Sequence, residues 1–275
     1  MSPDFCVLGD WGTSHLRLFL SRGDEIIDRR EGPGISRLES SPEATLFDLL
    51  AEWIESHGRM PILLSGMVGS RNGWKEVPYV SCPADAQALA HAMLRFRARE
   101  HDVLIVSDLS CRNAGGALDV MRGEETQIIG AFEQVPELAT RRHLLCLPGT
   151  HAKWVLLEEG RIVQFQTSLA GEVFALLEQH SMLLRVREDR SIDPHADSRA
   201  FEEGLTRGGE QPRTELLHAL FETRSRQLQA ELTPSQAPEW VSGLLMGYDT
   251  RGAARLFPRD VRDEAQVLVI GATDL

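Results

Sequence analysis

The strongest constraint on the fold is an internal repeat, in which one strand-turn-strand segment of the chain occurs twice. When residues 5–34 are shifted by 137 positions, they align with residues 142–171 without a gap. Identical turn residues coincide at four positions: Gly12 with Gly149, Thr13 with Thr150, Gly23 with Gly160, and Gly34 with Gly171. The apolar runs between these turns stay in phase. The repeat predicts a duplicated domain, although two generic glycine-punctuated hairpins would give a similar pattern.

The remaining apolar segments predict an α/β protein with mixed sheets, because strands alternate with helices. In the first half we expect strands over 5–12, 15–23, 25–32, 60–67 and 102–109, and helices over 41–58 and 83–100. In the second half we expect strands over 143–149, 151–160, 161–171 and 265–272, with three or four helices between 171 and 255. Ser41 is suited to cap the first helix, and Pro42 to occupy its first turn.

A break in the pattern marks the expected domain boundary. The stretch CRNAGGALDVMRG, residues 111–123, contains two adjacent glycines and is followed by a helix predicted over 124–134. The strand pattern restarts after that helix. We therefore predict two domains, residues 1–115 and residues 116–275.

Composition and charge exclude several classes of protein. The chain has 275 residues and a net charge of −12, which disfavours a nucleic acid or an anionic membrane held by bulk electrostatics. No apolar run reaches the roughly 18 residues of a membrane-spanning helix, and the first residues lack the pattern of a signal peptide. The four cysteines show no C-x-x-C spacing, so we expect a reduced, cytoplasmic protein.

The two Gly-Thr turns predict phosphate binding. A tight turn of this kind presents backbone N–H groups and a hydroxyl at short range, and glycine lets phosphate oxygens approach the backbone. Asp10 adds a carboxylate at the end of the first strand, where it could hold a phosphate-bound Mg²⁺ directly or through water. The sequence contains neither a Walker motif nor the protein-kinase signatures.

These hairpins resemble the phosphate motifs of the actin/Hsp70/sugar-kinase superfamily. Three further segments closely resemble the 2-dehydro-3-deoxygalactonokinase family: LLSGMVGSRNGWKEVPYVSCPA at 63–84, DVMRGEETQIIGA at 119–131 and LPGTHAKW at 147–154. The resemblance implies a two-lobed actin-like ATPase (ribonuclease H-like) fold, in which each lobe is a mixed sheet with flanking helices beside a central cleft. It also implies an enzyme that uses ATP and Mg²⁺ to phosphorylate 2-keto-3-deoxy-D-galactonate.

The resemblance also assigns roles along the chain. It places the first phosphate motif at Asp10, Gly12, Thr13 and Ser14, with Asp10 near the metal. It places the second phosphate motif at Gly149, Thr150 and His151, and the start of the adenosine motif at Gly271, Ala272 and Thr273. Family chains are expected to continue beyond this point with a closing helix, whereas the sequence given ends at Leu275.

Phosphoryl transfer to an alcohol also needs a base, and a carboxylated substrate needs a cation. By resemblance to sugar kinases the base lies at the start of the helix that opens with GEETQ, so Glu124 is the first choice and Glu125 the alternative. Both could instead be ordinary first-turn acids. Arg122 is the candidate residue to bind the substrate carboxylate. Its alternative role is an ion pair with a neighbouring acidic side chain. Gly69 and Ser70 offer backbone hydrogen-bond donors to the substrate. Trp74 either forms an aromatic wall of the substrate site or packs as an ordinary loop aromatic.

The expected function is ATP-dependent phosphorylation of the sugar acid at its 6-hydroxyl, in galactonate catabolism. The alternative is a sugar-acid-binding or regulatory protein of the same fold without turnover. The expected binding partner is a small molecule rather than a nucleic acid or membrane. The sequence leaves the oligomeric state open, and a homodimer is one alternative. One departure from the family pattern is Asp108, which stands where glycine is expected.

Overall fold

The structure is a computed structural model that describes residues 5–184, 194–210, 214–257 and 267–271. Contacts between residues divide the chain into two compact units. The first unit comprises Met1–Arg142 together with Leu157–Phe165, and the second comprises His143–Leu156 together with Gln166–Leu275. The domain boundary at residue 115 stays a prediction.

The described elements alternate between strands and helices, which confirms the α/β class. The strands are β1 (Cys6–Trp11), β2 (His15–Arg22), β3 (Glu25–Pro33), β4 (Ile62–Gly66), β5 (Val80–Ser81), β6 (Leu94–Ala98), β7 (His101–Ile105), β8 (Leu109–Arg112), β9 (Leu118–Met121), β10 (Arg142–Leu147), β11 (Ala152–Glu158), β12 (Arg161–Ser168) and β13 (Val267–Val269). The helices are α1 (Pro42–His57), α2 (Ala86–Ala92), α3 (Glu124–Gln134), α4 (Ala170–His180), α5 (Pro194–Gly209), α6 (Leu216–Leu228) and α7 (Ala237–Leu256).

The first unit is built on a six-stranded sheet in the order β3-β2-β1-β4-β7-β6. Strand β1 pairs antiparallel with β2 and parallel with β4. Val7, Leu16, Leu18 and Leu20 are buried, and the alternation of burial along β1 and β2 follows the two-residue period of a strand. This period explains why the sequence located these strands.

Helix α1 has the cap that its sequence predicts. The Ser41 hydroxyl accepts a hydrogen bond from the Ala44 N–H at 3.2 Å, and Pro42 stands at the start of the helix. The helix buries Leu46, Leu50 and Trp53 against the sheet. Its extent agrees with the prediction from the spacing of these side chains.

The helix predicted over 83–100 is wrong in its second half. The helix α2 ends at Ala92, and β6 follows as an edge strand antiparallel to β7. In β6 the exposed arginines Arg95 and Arg97 alternate with the less exposed residues beside them, which is a strand period rather than a helical one. The pairing with β7 supplies backbone hydrogen bonds that stabilise the strand. A prediction from the helix and strand preferences of the residues alone does not take these hydrogen bonds into account.

The second sheet has the order β12-β11-β10-β13. Strand β13 lies parallel to β10, with Leu144 opposite Val267, as β4 lies parallel to β1 with Val7 opposite Ile62. Since Val7 and Leu144 are equivalent in the 137-residue repeat, the two sheets share both their hairpin and the strand beside it. The described residues therefore support a duplicated domain over two unrelated hairpins.

The described residues between 170 and 256 form four helices, α4 to α7, in agreement with the expected three or four. Helices α5 and α7 pack with their backbones in close approach through glycines. A Cβ on Gly243 would collide with the Phe201 carbonyl oxygen and lie 2.8 Å from the Leu205 nitrogen. On α5, a Cβ on Gly204 would likewise collide with the Trp240 carbonyl oxygen. Neither glycine can be replaced without separating the helices.

We predict opposite effects of alanine at two glycines of α7. Gly243→Ala is expected to lower the free energy of unfolding by about 2 kcal/mol or more, because the new methyl group overpacks the contact with α5. Gly252→Ala meets no atom within 4 Å and is expected to raise it by up to about 1 kcal/mol through helix propensity. Urea denaturation of both variants tests this. Equal effects of the two substitutions would contradict the packing argument.

Candidate active site

Three elements of the first unit converge where β1 and β4 end and α3 begins. Gly66, at the end of β4, has φ +89°, and a Cβ there would lie 2.9 Å from the Trp11 carbonyl oxygen and 3.5 Å from Oδ1 of Asp10. Gly123, before α3, has φ +104°, and a Cβ there would lie 3.5 Å from Cα of Gly66. Both positions need glycine for their backbone conformation, and together they bring the start of α3 to Asp10.

Asp10 is half-buried at this junction. Its Oδ2 lies 3.6 Å from Nη1 of Arg17. Burial raises the pKa of the Asp10 carboxyl above its usual range; Arg17 lowers it and Glu124 raises it further. A cation at Asp10 would offset both the burial and the repulsion from Glu124, so the side chain suits Mg²⁺, which proteins often hold through one or two carboxylates and substrate phosphates. Among the described residues, no group of three or more His, Cys, Asp or Glu side chains could hold a metal alone.

The first Gly-Thr turn is fixed through its carbonyl groups. The Ile35 N–H donates to the Gly12 oxygen at 3.1 Å, and the Ser36 N–H donates to the Thr13 oxygen at 3.0 Å. Gly34 lies so close to the turn that a Cβ would collide with the backbone of Thr13 and Ser14. The turn that the sequence assigns to phosphate binding is therefore held in place by the segment that follows β3.

The second Gly-Thr turn, in the second unit, is fixed in the same way. The Glu172 N–H donates to the Thr150 oxygen at 2.9 Å, and a Cβ on Gly171 would collide with the Gly149 oxygen. Nε2 of His151 lies 2.5 Å from Oε2 of Glu172. A Cβ on Gly149 would meet no atom within 4 Å, so the space in front of this glycine is open.

Of the three residues predicted to begin an adenosine motif, the structure describes only Gly271. Gly271 follows β13 and corresponds to Gly66 of the first unit when the two strand registers are compared. Ala272 and Thr273 lie outside the described residues.

The two candidate bases differ in their surroundings. Glu124 is partly buried, and its Oε2 accepts the Arg122 N–H at 3.0 Å. Glu125 is fully buried, and its two oxygens accept the Gly123 N–H at 3.0 and 2.8 Å. Burial raises the pKa of the Glu125 carboxyl to about 8; Asp108 raises it too, while hydrogen bonds from the backbone lower it. The Glu125 side chain thus satisfies the N–H of Gly123, the N-cap residue of α3, as the acid of a capping box does.

Arg122 contacts an acid that sequence reasoning gave no role. Its Nη1 forms an ion pair with Oδ2 of the fully buried Asp108, and its Nη2 donates to the Tyr79 hydroxyl at 2.8 Å. The guanidinium also lies over the Tyr79 ring, 4.9 Å from its centroid. Burial raises the pKa of the Asp108 carboxyl to about 7; Arg122 lowers it and Glu124 raises it. Tyr79 lies inside the 63–84 segment, but no spacing connects it to Arg122.

The loop that carries the predicted substrate contacts Gly69, Ser70 and Trp74 lies partly against Arg122. A Cβ on Gly69 would lie 3.3 Å from Nη1 of Arg122, and the Ser70 hydroxyl is buried without a hydrogen-bond partner in the described part of the chain. Trp74 packs edge-on against Phe96, with ring centroids 5.0 Å apart, beside the core of the first unit. The structure therefore brings together Asp10, Gly69, Ser70, Arg122, Glu124 and Glu125, and sets the Trp74 ring against Phe96.

Comparisons with known proteins agree with this geometry. The family model described as 2-keto-3-deoxy-galactonokinase matches residues 10–275. A 2-dehydro-3-deoxygalactonokinase of Escherichia coli (strain K12) is 36% identical over 241 residues, which are 86% of this chain and 76% of that protein. A relative from Rhizobium meliloti (strain 1021), whose name is given as probable 2-dehydro-3-deoxygalactonokinase, is 33% identical over 246 residues, which are 89% of this chain and 78% of that one. A solved structure described as a Sinorhizobium meliloti 2-dehydro-3-deoxygalactonokinase protein has a TM-score of 0.81 at 29% identity, and the match covers 96% of this chain and 93% of that one.

The repeated sheet and its Gly-Thr hairpins define an α/β protein with an internal duplication. Within that class, the chain belongs to the 2-keto-3-deoxy-galactonokinase family. In the part of the chain that the structure describes, none of the helices has the length and apolar character needed to cross a membrane.

We predict that Glu125 makes the stability of the protein depend on pH. Its pKa is raised from 4.5 to about 8, so the folded state holds a proton that the unfolded state releases above 4.5. The free energy of unfolding should therefore fall as the pH rises from about 4.5 to 8. Glu125→Gln is expected to remove this loss, which is on the order of 3–5 kcal/mol at pH 8.5.

Urea denaturation at pH 5.5 and 8.5 measures this effect. Glu133→Gln, at an exposed position of the same helix, is the matched control. If the two variants show the same pH dependence, the role given to Glu125 is wrong.

Proposed function

We propose that this protein phosphorylates 2-dehydro-3-deoxy-D-galactonate at its 6-hydroxyl, with ATP as the donor and Mg²⁺ as the metal, in galactonate catabolism. One observation carries the proposal: Asp10 and Glu124 interact electrostatically where β1 ends and α3 begins. A kinase needs one carboxylate for the metal and another for the attacking hydroxyl, and this junction offers both. The names of the relatives support the same substrate.

The phosphates of ATP are assigned to the two Gly-Thr turns. One set of contacts is assigned to Gly12, Thr13 and Ser14, and the other to Gly149, Thr150 and His151. The Gly12 N–H already donates to the His15 oxygen at 2.9 Å, so the donors of the first turn are those of Thr13 and Ser14. Both turns are held through their carbonyls, which supports a fixed arrangement of donors that needs little reorganisation on binding. When bound, Mg²⁺ supplies charge neutralisation at the phosphates, and Asp10 is the residue proposed to hold it. We assign the adenosine to the segment that begins at Gly271, Ala272 and Thr273.

Glu124 is the proposed base. Its side chain is partly exposed, whereas Glu125 is buried and its oxygens accept the Gly123 N–H. A base must reach the proton of the attacking hydroxyl within hydrogen-bond distance, and Glu124 meets that requirement more readily than Glu125. Glu125 instead positions Gly123, and through it the start of α3.

The sugar acid is assigned to the surface beside Arg122. A guanidinium binds a carboxylate by two parallel hydrogen bonds, and Gly69 lies against this one. The buried Ser70 hydroxyl has no hydrogen-bond partner in the described ranges, which supports a polar ligand nearby. Trp74 remains the proposed aromatic wall, although its ring packs on Phe96. We further propose a cytoplasmic enzyme, with a homodimer as one assembly to test.

The experiment that tests this function measures ADP release with Mg-ATP. Release that depends on 2-dehydro-3-deoxy-D-galactonate is the expected result, with the gluconate-derived isomer as the matched control for stereochemistry. Mass spectrometry of the product locates the phosphate. Sugar-acid binding without ADP release would instead favour a binding or regulatory protein of the same fold.

We predict that Asp10→Asn and Glu124→Gln each lower kcat at least about 100-fold, because each removes a charge used in the transition state. Both variants keep the volume of the native side chain, so we expect them to remain folded. Steady-state kinetics and circular dichroism measure the two properties. Asp24→Asn and Glu133→Gln, at exposed positions, are the matched controls. Near-native rates in both site variants would refute the assignment.

A further inference from the structure

The ion pair between Asp108 and Arg122 is buried and lacks the hydrogen bonds that such pairs normally have. Asp108 has no exposed surface, and the Arg122 side chain is 12% exposed. Within the described ranges, neither carboxylate oxygen of Asp108 nor Nη1 of Arg122 has a hydrogen-bond partner of acceptable geometry. Burying a charged pair is costly unless hydrogen bonds satisfy both partners. The pair is therefore held mainly by charge.

The other edge of the same guanidinium faces outward. Nη2 of Arg122 donates to the hydroxyl of Tyr79, a residue that is 41% exposed. A guanidinium offers five N–H donors in a planar fork, so Arg122 can hold Asp108 with its buried edge while its outer edge reaches a ligand. Replacement of the Tyr79 hydroxyl by a ligand oxygen would preserve the hydrogen bond.

The local charge balance opposes an anionic ligand. Arg122 is paired with Asp108, and the Asp108 carboxyl also interacts with Glu124 and Glu125 at the start of α3. A ligand carboxylate at Arg122 would add a further acidic group beside these three. Like charges repel more strongly where water is excluded than in water.

We propose that Asp108 is a positioning residue that competes with the substrate's carboxylate for the positive charge of Arg122, not for the same N–H groups, and thereby sets how tightly the site holds an anionic sugar acid. This inference rests on the proposed function, because the sugar acid is the ligand assigned to Arg122. An ionised Asp108 neutralises the guanidinium and weakens the grip on the substrate. A protonated Asp108 leaves the positive charge of Arg122 to the substrate.

The protonation of Asp108 falls in the physiological range. Burial raises its pKa to about 7, and Glu124 raises it too, against the effect of Arg122. The titratable and charged groups that face it are Arg122, Glu124 and Glu125, with Tyr79 across the guanidinium. The carboxyl ionises as the pH rises through about 7, so the affinity for the sugar acid should fall between pH 6 and pH 8.

The test compares wild-type protein with Asp108→Asn, which removes the charge and keeps the shape. The Kd for 2-dehydro-3-deoxy-D-galactonate is measured by calorimetry without ATP at pH 6, 7 and 8, and KM and kcat are measured alongside. Asp108→Asn is expected to bind the sugar acid at least about threefold more tightly at pH 8, with a flatter pH profile and the wild-type KM for ATP. Asp102→Asn is the matched control, since Asp102 is an exposed aspartate paired with Arg59.

Several results would overturn the inference. Weaker or unchanged binding by a folded Asp108→Asn protein would show that Asp108 only supports the fold or Arg122. If that variant does not fold, the wild-type profile decides, because a Kd that is constant from pH 6 to pH 8 excludes the competition. Binding of the sugar acid by wild type without phosphorylation would refute the proposed function and leave the role of Asp108 testable. Absence of binding would refute both.

Discussion

The pairing of β1 on both of its edges organises the first unit. Its antiparallel partner β2 creates the turn that carries Gly12 and Thr13, and its parallel partner β4 ends at Gly66 beside Asp10. A Cβ on Gly123 would lie 3.5 Å from Cα of Gly66, so glycine at position 123 lets α3 begin at the same junction. The groups of the proposed site, which are distant in the chain, thus depend on the register of a single strand.

The second unit reuses this arrangement. Its β10 pairs with β13 in the register that β1 has with β4, and Gly171 contacts the turn at Thr150 as Gly34 contacts the turn at Thr13. In both turns the carbonyl oxygen of the threonine accepts a hydrogen bond from the segment that follows the third strand: Thr13 from Ser36, and Thr150 from Glu172. The duplicated hairpin therefore gives both turns the same backbone support.

The sequence predicts an element correctly where its local residue pattern agrees with the tertiary contacts. The two-residue period of β1 and β2, the Ser41 cap of α1 and the start of α3 at Glu124 are all readable from neighbouring residues. The strand Leu94–Ala98 was read as helix because its stability comes from pairing with β7. Likewise, the close packing of α5 on α7 depends on glycines that face each other across two helices, a relation that spacing along one helix does not reveal.

The sequence by itself determined the repeat, the family and the residue types of the site, since these depend on the order of residues along the chain. Only the tertiary structure decided which of the acidic side chains are buried and which groups they contact. Glu124 and Glu125 are neighbours in sequence, yet one is partly exposed and the other is buried on the Gly123 N–H. Asp108 and Arg122 are separated by 13 intervening residues, yet they form a buried ion pair. Burial and the distance between charges set these properties, and both arise only when separate elements pack together.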